Sequence, residues 1–284
     1  MVKVGIDLGG SKLLMLAESP AGRSVSRLPT GSAFGPAELE AAVAGFVASL
    51  PAPPSALGIA FPGLVDADRS VVACDVLPRL VGWRPPRAIA GPWPFALLND
   101  CEAALIAEAR DHDRAATLAV VVVGTGIGAA FQVDGRVLRG AKGWAGELGS
   151  VPIAAGGAVR TLDQLAAGQA ILERAGCEGA ELEARAAGGD ARIMAIIRDA
   201  GAALGLGLAA VVHLLNPSVL ALGGGVLRLP GYAEAARASA RAHTLGPMWE
   251  ACAVRPLRDG EHAAAVGAAL AASSSMNGPR QESS

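Results

Sequence analysis

Three glycine-rich turns in this sequence each follow a short apolar strand pattern. They are DLGGSK from Asp7 to Lys12, GTGIG from Gly124 to Gly128, and GGG from Gly223 to Gly225. Glycine lets the backbone approach a ligand closely and turn its amides toward an anion, which is how loops hold phosphate oxygens. One such turn alone is more often a simple tight turn. Three in this order predict a site for a phosphate-bearing ligand.

A second candidate group is Asn99-Asp100, which stands between a brief apolar strand pattern and a helical pattern. Phosphoryl transfer needs an attacking oxygen that is held in line and relieved of its proton, and a carboxylate at a strand end can supply both. Asn and Asp are also leading residue types at helix N-caps. The residues alone leave the catalytic base and the helix cap as equal alternatives.

The glycine turns match neither common nucleotide-binding motif. None reads GxxxxGK[ST], and none is a GxGxxG with an acidic residue about 20 positions further on. The sequence therefore does not predict a P-loop enzyme. The actin-like superfamily, which clamps phosphates between two glycine hairpins, is the alternative.

Composition and charge limit the classes of partner. The 284 residues include 24 basic and 26 acidic side chains, so the formal net charge is −2. No basic field would attract nucleic acid or an anionic membrane, and we expect a small-molecule partner. The N-terminus lacks the uninterrupted apolar core of a signal peptide, so we expect a cytoplasmic protein with reduced thiols. The apolar segment Ala202–Val226 is broken by polar residues, a proline and glycines, and is therefore predicted to be buried core rather than a membrane span.

The order of elements predicts an α/β protein built from two similar halves. Each half opens with a strand, a glycine turn and a second strand, and continues into helices and further apolar strands. The polar segment near residue 113 predicts a smaller N-terminal domain, 1–113, and a larger C-terminal domain, 114–262. A small-residue helix at about 263–275 is expected to pack back on the first domain.

Six segments of the sequence together resemble a known family. The segments GIDLGGSK, GIAFPGLVD, LLNDCEAA, VVVGTGIGAAF, GAKGWAGELGS and LNPSVLALGGGV run in order across most of the chain. Together they resemble the ROK family of bacterial sugar kinases and repressors. The resemblance implies two actin-like (ribonuclease H-like) ATPase domains with a cleft between them. It also implies ATP and Mg²⁺ as cofactors, a sugar substrate and a homodimer.

The resemblance also implies roles for particular residues. Asp100 would be the catalytic base. The sugar-binding residues would be Gly63, Asn99, Asp100, Glu147 and Asp163. The nucleotide-binding residues would be Asp7, Gly9, Gly10, Ser11, Lys12, Gly124, Thr125, Gly126, Gly224 and Gly225. Asp7 would orient magnesium through water, since magnesium keeps several waters and few protein ligands.

Simpler interpretations stay open for three of the acids. Asp7 could be a turn former at its strand end, and Glu147 a solvated loop acid. Asp163 could be an acid in the first turn of a helix, where the helix dipole favours negative charge.

Two departures from the family pattern bear on metal and substrate. Ser150 stands where the family has a histidine, and VPIAAGGAVRTLD replaces the cysteine-rich zinc loop. The four cysteines Cys74, Cys101, Cys177 and Cys252 also lie too far apart for a zinc site. A zinc-less variant is therefore expected. Arg79 stands where the family commonly has Asn; it would favour an acidic sugar if it lined the site, and a solvated surface arginine is the alternative.

The sequence therefore predicts an ATP-dependent kinase acting on a hexose or hexosamine-type sugar. Two other functions stay open. A non-catalytic sugar or nucleotide sensor would resemble the family's repressors, but those need an N-terminal helix-turn-helix, and this sequence enters its first hairpin by residue 7. An actin-like phosphotransferase with a different, possibly acidic, acceptor is the third hypothesis.

Overall fold

The structure is a computed structural model that describes residues 1–66, 68–91, 93–155 and 157–274. The chain divides into two compact units. The first unit comprises Met1–Asp111, Arg139–Ala145 and the chain from Glu261 onward. The second comprises His112–Leu138 and Gly146–Gly260.

The first unit is built on a five-stranded sheet in the order β3-β2-β1-β4-β7. The neighbours β1–β2 and β2–β3 are antiparallel, whereas β1–β4 and β4–β7 are parallel. A two-stranded ribbon, β5–β6, lies beside it. The strands are β1 Val2–Leu8, β2 Lys12–Ser19, β3 Gly22–Pro29, β4 Pro54–Phe61, β5 Leu64–Val65, β6 Val71–Ala73 and β7 Phe95–Asn99.

Helices cover this sheet. They are α1 Pro36–Ala48, α2 Arg87–Ala90, α3 Asp100–Ala109 and the last helix of the chain, α10 Ala263–Ser274. Although α10 is the last element in the sequence, it packs on α3 and on β1 and β4 of the first unit. The packing is close enough that a Cβ added at Gly58 in β4 would lie 1.9 Å from the carbonyl oxygen of Ala268. Glycine at this position is therefore a requirement of helix-on-sheet contact.

The second unit repeats the same topology with a second five-stranded sheet, β10-β9-β8-β13-β14. Here too the first two strand pairs, β8–β9 and β9–β10, are antiparallel, and β8–β13 and β13–β14 are parallel. The antiparallel ribbon β11–β12 is separate. The strands are β8 Leu118–Val123, β9 Ile127–Val133, β10 Arg136–Val137, β11 Pro152–Ala155, β12 Ala158–Thr161, β13 Val219–Gly223 and β14 Ala253–Pro256.

The longest helix of the second unit lies in its core. It begins after Asp190, which caps the amides of Arg192 and Ile193, and ends at Asn216 in a left-handed conformation. By length and composition it could cross a membrane. However, 61% of its most apolar 18-residue stretch is buried inside the protein, which is typical of a core helix. The helices are α4 Leu162–Ala166, α5 Gly168–Ala175, α6 Gly179–Ala187, α7 Ala191–Leu215, α8 Tyr232–Ala242 and α9 Gly246–Ala251.

The two sheets confirm the expected α/β fold with two similar halves. Two features differ from the expectation. Strand β3 was not predicted, because its residues are polar and mostly exposed at the sheet edge. The segment Arg139–Ala145 belongs to the first unit, although the sequence placed it within the second half.

Candidate active site

The parallel strands of the first unit bring four predicted residues to one edge of the sheet. Asp7 pairs with Ala60 near the end of β1 and β4, and Asn99 pairs with Phe61 at the end of β7. Asp100 follows at the first position of α3, and Gly63 follows β4. In open α/β sheets, ligands bind beyond the carboxyl ends of the strands. This edge is therefore the candidate site of the first unit.

Asn99, and not Asp100, is the N-cap of α3. Its side-chain oxygen accepts hydrogen bonds from the amides of Cys101 at 2.9 Å and Glu102 at 3.3 Å. Its side-chain nitrogen donates to the carbonyl of Gly63 at 3.1 Å. Of the two residues, Asn99 is therefore the helix cap that the sequence allowed. Its bond to Gly63 also links the turn after β4 to the start of α3.

Gly63 has a backbone conformation that other residues rarely adopt. Its φ is +151°, and an added Cβ would lie 2.3 Å from the carbonyl oxygen of Ala73. The thiol of Cys74 donates to the adjacent carbonyl of Pro62 at 2.9 Å. The turn that contains Gly63 is thereby held by Asn99 at the Gly63 carbonyl and by Cys74 at the Pro62 carbonyl.

Asp7 and Asp100 form an electrostatically unusual pair of carboxyl groups. The pKa of Asp7 is raised to about 7, chiefly because burial removes its carboxyl group from water and secondly because Asp100 is negatively charged. The positive charge of Lys12 partly offsets the rise. Burial also raises the pKa of Asp100, against the lowering effect of a hydrogen bond from the Cys101 amide. Both residues are half-buried. Perturbed carboxyl groups of this kind are typical of functional sites.

The first glycine turn is closed by its own backbone and by a residue that the sequence analysis missed. The amide of Gly9 donates to the carbonyl of Lys12 at 2.8 Å. The Thr30 hydroxyl donates to the Gly9 carbonyl at 2.7 Å, and the Thr30 amide donates to the Ser11 carbonyl at 3.1 Å. Thr30 directly follows β3, so a pattern that does not predict β3 gives no signal for it.

Lys12 has a partner at the start of the last helix. Its ammonium group lies 3.0 Å from Glu261, which also accepts from Arg27 at 2.8 Å. These two hydrogen bonds lower the pKa of Glu261 to about 2. All three side chains are about 40–47% exposed, so water screens the cluster.

The second glycine turn is fixed by two neighbouring elements of the second unit. The amide of Gly168, at the start of α5, donates to the Gly124 carbonyl at 2.9 Å, and the Gln169 amide donates to the Thr125 carbonyl at 3.3 Å. The Asp163 carboxylate accepts from the Ile127 amide at 2.7 Å. Asp163 therefore holds the turn, in addition to lying in the first turn of α4 as one interpretation expected.

The third glycine turn packs against the second. Gly224 has φ +101°, and an added Cβ would lie 2.1 Å from the Val123 carbonyl oxygen, directly before Gly124. Gly225 then begins a single turn of 3-10 helix, Gly225–Arg228. The structure thus brings Gly124, Gly126, Asp163 and Gly224 together within the second unit, and Asp7, Gly63, Asn99 and Asp100 together within the first.

Comparison with known proteins identifies the family. The model of the ROK family matches residues 3–274, nearly the whole chain. This chain belongs to the ROK family.

Two of the similar proteins are sugar kinases by name. An N-acetylmannosamine kinase of Salmonella typhimurium is 28% identical over 84% of this chain and 88% of its own length. A ROK hexokinase from Thermus thermophilus has 29% identity and a TM-score of 0.77, and the match covers 98% of this chain and 99% of the hexokinase. The bifunctional enzyme NanE/NanK of Brucella melitensis is 31% identical, but the match spans 53% of this chain and only 30% of the bifunctional enzyme.

The segment 151–163, which the sequence analysis expects in place of the family's zinc loop, contains the ribbon β11–β12. Backbone pairing from Pro152–Thr161 to Ala155–Ala158 holds it together. It leads into α4 through a capping box, in which Thr161 and Gln164 exchange hydrogen bonds. Among the described residues no group of three or more His, Cys, Asp or Glu side chains could hold a metal ion. The absence of zinc stays a prediction.

Three predicted residues of altered or uncertain role lie on the surface. Glu147 precedes a single 3-10 turn, Leu148–Ser150, and both Glu147 and Ser150 are exposed. Arg79 is also exposed, and it donates to the Ala33 carbonyl at 2.5 Å, beside the start of α1. Arg79 thus binds backbone of the first unit, which agrees with the interpretation as a surface arginine.

Proposed function

We propose that this chain is an ATP-dependent kinase that phosphorylates a hydroxyl of a hexose or hexosamine. The observation that carries the proposal is the Asp7–Asp100 pair at the carboxyl edge of the first sheet. The pKa of Asp100 is raised by burial. Asn99, and not Asp100, caps the helix α3. Family membership and the names of the relatives support the same reaction.

Asp100 is the proposed catalytic base. A general base is most effective when its pKa lies near the working pH, and burial moves the pKa of Asp100 upward in that direction. The Cys101 amide donates to its Oδ1 at 2.8 Å, which fixes the orientation of the carboxylate. Asp100 can therefore accept the proton of a bound sugar hydroxyl from a fixed position.

Asp7 is the proposed residue for the magnesium ion that accompanies ATP. Carboxylate oxygen is the ligand type that magnesium prefers. A nearby cation would favour the ionised form of this carboxyl group, whose pKa is raised to about 7. When bound, magnesium neutralises charge on the phosphate oxygens. The turn Gly9–Lys12 would hold phosphate in the first unit.

The second unit offers a nucleotide-binding surface of its own. The turn Gly124–Gly126 is fixed through its carbonyls by α5, and Gly224 and Gly225 lie beside it without room for a side chain at Gly224. Such crowded glycine backbone suits close approach to a phosphate or a nucleoside. We propose that Gly124, Thr125, Gly126, Gly224 and Gly225 bind ATP.

For the sugar, we propose Gly63, Asn99 and Asp100 in the first unit and Glu147 in the second. Asp163 stays a candidate, although its carboxylate already accepts from Ile127. We also propose a cytoplasmic location, and we propose a homodimer on the family resemblance alone.

The test is ADP release from ATP and Mg²⁺ with a panel that includes glucose, mannose, N-acetylmannosamine, N-acetylglucosamine and acidic sugars. We expect turnover with at least one neutral hexose or hexosamine. In Asp100→Asn, which keeps the size of the side chain, turnover should fall about 10²- to 10⁴-fold with sugar binding retained.

The matched control is Asp111→Asn, which neutralises an exposed aspartate of the same unit just beyond the other end of α3 and should leave turnover unchanged. ADP release with no sugar, or with acidic sugars only, would contradict the proposed substrate class. Normal turnover in folded Asp100→Asn would contradict the role of the base.

A further inference from the structure

Residues 139–145 form a closed loop that belongs to the first unit. The chain enters it after β10 and leaves it at Gly146, both in the second unit. The Ala145 amide donates to the Arg139 carbonyl at 3.1 Å, which brings the two ends of the loop together. A compact surface loop with close ends is a frequent carrier of function.

One ion pair attaches this loop to the start of α3. The Arg139 Nε donates to Oε1 of Glu102 at 3.0 Å, and Nη2 of the same guanidinium donates to the same oxygen. The Glu102 side chain is only 14% exposed, whereas Arg139 is 60% exposed. Water therefore screens the guanidinium, but both of its donors are directed at a carboxylate that is mostly buried.

The loop also passes close to a second segment of the candidate site. A Cβ added at Gly143 would lie 3.8 Å from the carbonyl oxygen of Val65, two residues after Gly63. Glu102 itself lies two residues after Asp100, and its amide donates to Asn99. The loop is thus bonded to the segment that follows Asp100 and lies close to the segment that follows Gly63.

We propose that Arg139 and Glu102 are positioning residues for the sugar, because their ion pair holds the loop 139–145 as a wall of the acceptor site. This inference rests on the proposed sugar kinase activity. Neither side chain takes part in proton or phosphoryl transfer. Loss of the pair should therefore weaken sugar binding while the chemical step and the binding of ATP stay nearly intact.

The experiment is steady-state kinetics on the intact chain with the best sugar of the panel. Arg139→Ala should raise KM for the sugar by about ten- to a hundredfold, the usual consequence of a misplaced binding element. The kcat and the KM for ATP should change less than about threefold. Arg139→Lys should recover only part of the loss, because a single ammonium nitrogen cannot stand in for the two guanidinium nitrogens that donate to Glu102.

A double-mutant cycle tests whether the two residues act through each other. If they do, Arg139→Ala/Glu102→Ala should be no worse in sugar KM than the more affected single variant. The matched control is Arg23→Ala, since Arg23 also directs Nε and Nη2 to one oxygen of Glu18, at the far end of β2. Arg23→Ala should leave all three kinetic constants unchanged.

The outcomes separate this inference from the proposed function. Unchanged sugar KM in Arg139→Ala, or additive effects in the cycle, would overturn the inference while the kinase activity stands. A fall in melting temperature with unchanged sugar KM would show a structural role only and would also overturn it. Absence of sugar phosphorylation by the wild-type chain would instead overturn the proposed function.

Discussion

At the scale of single residues, the candidate site is a place where folding and function conflict. Asp7 sits among protein atoms and near Asp100, and both effects disfavour its ionised form. A carboxylate that binds a cation must nevertheless be ionised. Active sites commonly retain such unfavourable electrostatics at the expense of stability.

Asp7 should therefore make the protein less stable as the pH rises. Its pKa is about 7 in the folded protein against 3.8 ordinarily, so the folded state binds the extra proton between these values. The stability that the protonated Asp7 side chain contributes is fully present below about pH 4 and is lost as the pH rises through about 7. Asp7→Asn should remove this loss and raise the free energy of unfolding at pH 8 by roughly 1–3 kcal/mol.

The measurement is urea unfolding of wild type and Asp7→Asn at pH 5 and pH 8, without nucleotide or metal. The difference between the variants should be larger at pH 8. Activity should be lost in the same variant if Asp7 serves magnesium. An equal difference at both pH values would show that the pKa of Asp7 is not raised.

At the scale of elements, the structure shows what holds the glycine turns in place. Thr30 fixes the first turn, and Asp163 and the start of α5 fix the second. These partners come from elements other than the strands that carry the turns. The turns are therefore parts of the surrounding architecture.

The role of Asp163 can be resolved by two substitutions. Asn at position 163 can still accept from the Ile127 amide, whereas Ala cannot. If the residue only holds the turn, Asp163→Ala should raise KM for ATP several-fold and Asp163→Asn should behave as wild type. The comparison of KM for ATP and for sugar in both variants gives the answer.

A sugar-binding Asp163 would give a different pattern. Loss of the negative charge would then raise KM for the sugar in Asp163→Asn as well as in Asp163→Ala. Equal KM for ATP in all three proteins would contradict the role in holding the second turn.

The sequence predicted the elements whose signals are local. Apolar runs that end in glycine predict β1 and β8, and the Asn99-Asp100 pair marks the start of α3. It could not distinguish which of the two caps the helix, because both residue types are good caps. It also missed β3 and Thr30, since polar edge strands lack the alternating pattern. It missed the place of residues 139–145 as well, because Arg139 meets Glu102, 37 positions away in sequence.

At the scale of the whole molecule, the chain contains the same sheet topology twice. In each unit the first strand lies in the centre, with a hairpin on one side and two parallel strands on the other. The chain nevertheless does not divide at a single point, because α10 returns to the first unit. The first and last parts of the chain must both be present before this unit is complete.

The last prediction tests how strongly α10 stabilises the first unit. Gly58→Ala would place a Cβ 1.9 Å from the Ala268 carbonyl, so β4 and α10 must separate. Overpacking of this kind costs about 1–3 kcal/mol or more. The control is Gly45→Ala in α1, where the added Cβ meets nothing within 4 Å; Ala is the better helix former by roughly 1 kcal/mol, so this variant should be slightly more stable.

Urea unfolding followed by tryptophan fluorescence suits this test, because Trp83, Trp93 and Trp144 lie in the first unit and only Trp249 lies in the second. The two glycine substitutions should shift the midpoint in opposite directions. Since replacing glycine by alanine also restricts the unfolded chain equally in both variants, opposite signs isolate the contact with α10. A Gly58→Ala protein as stable as Gly45→Ala would show that α10 can move away from β4 at no cost, and that the first unit does not depend on it.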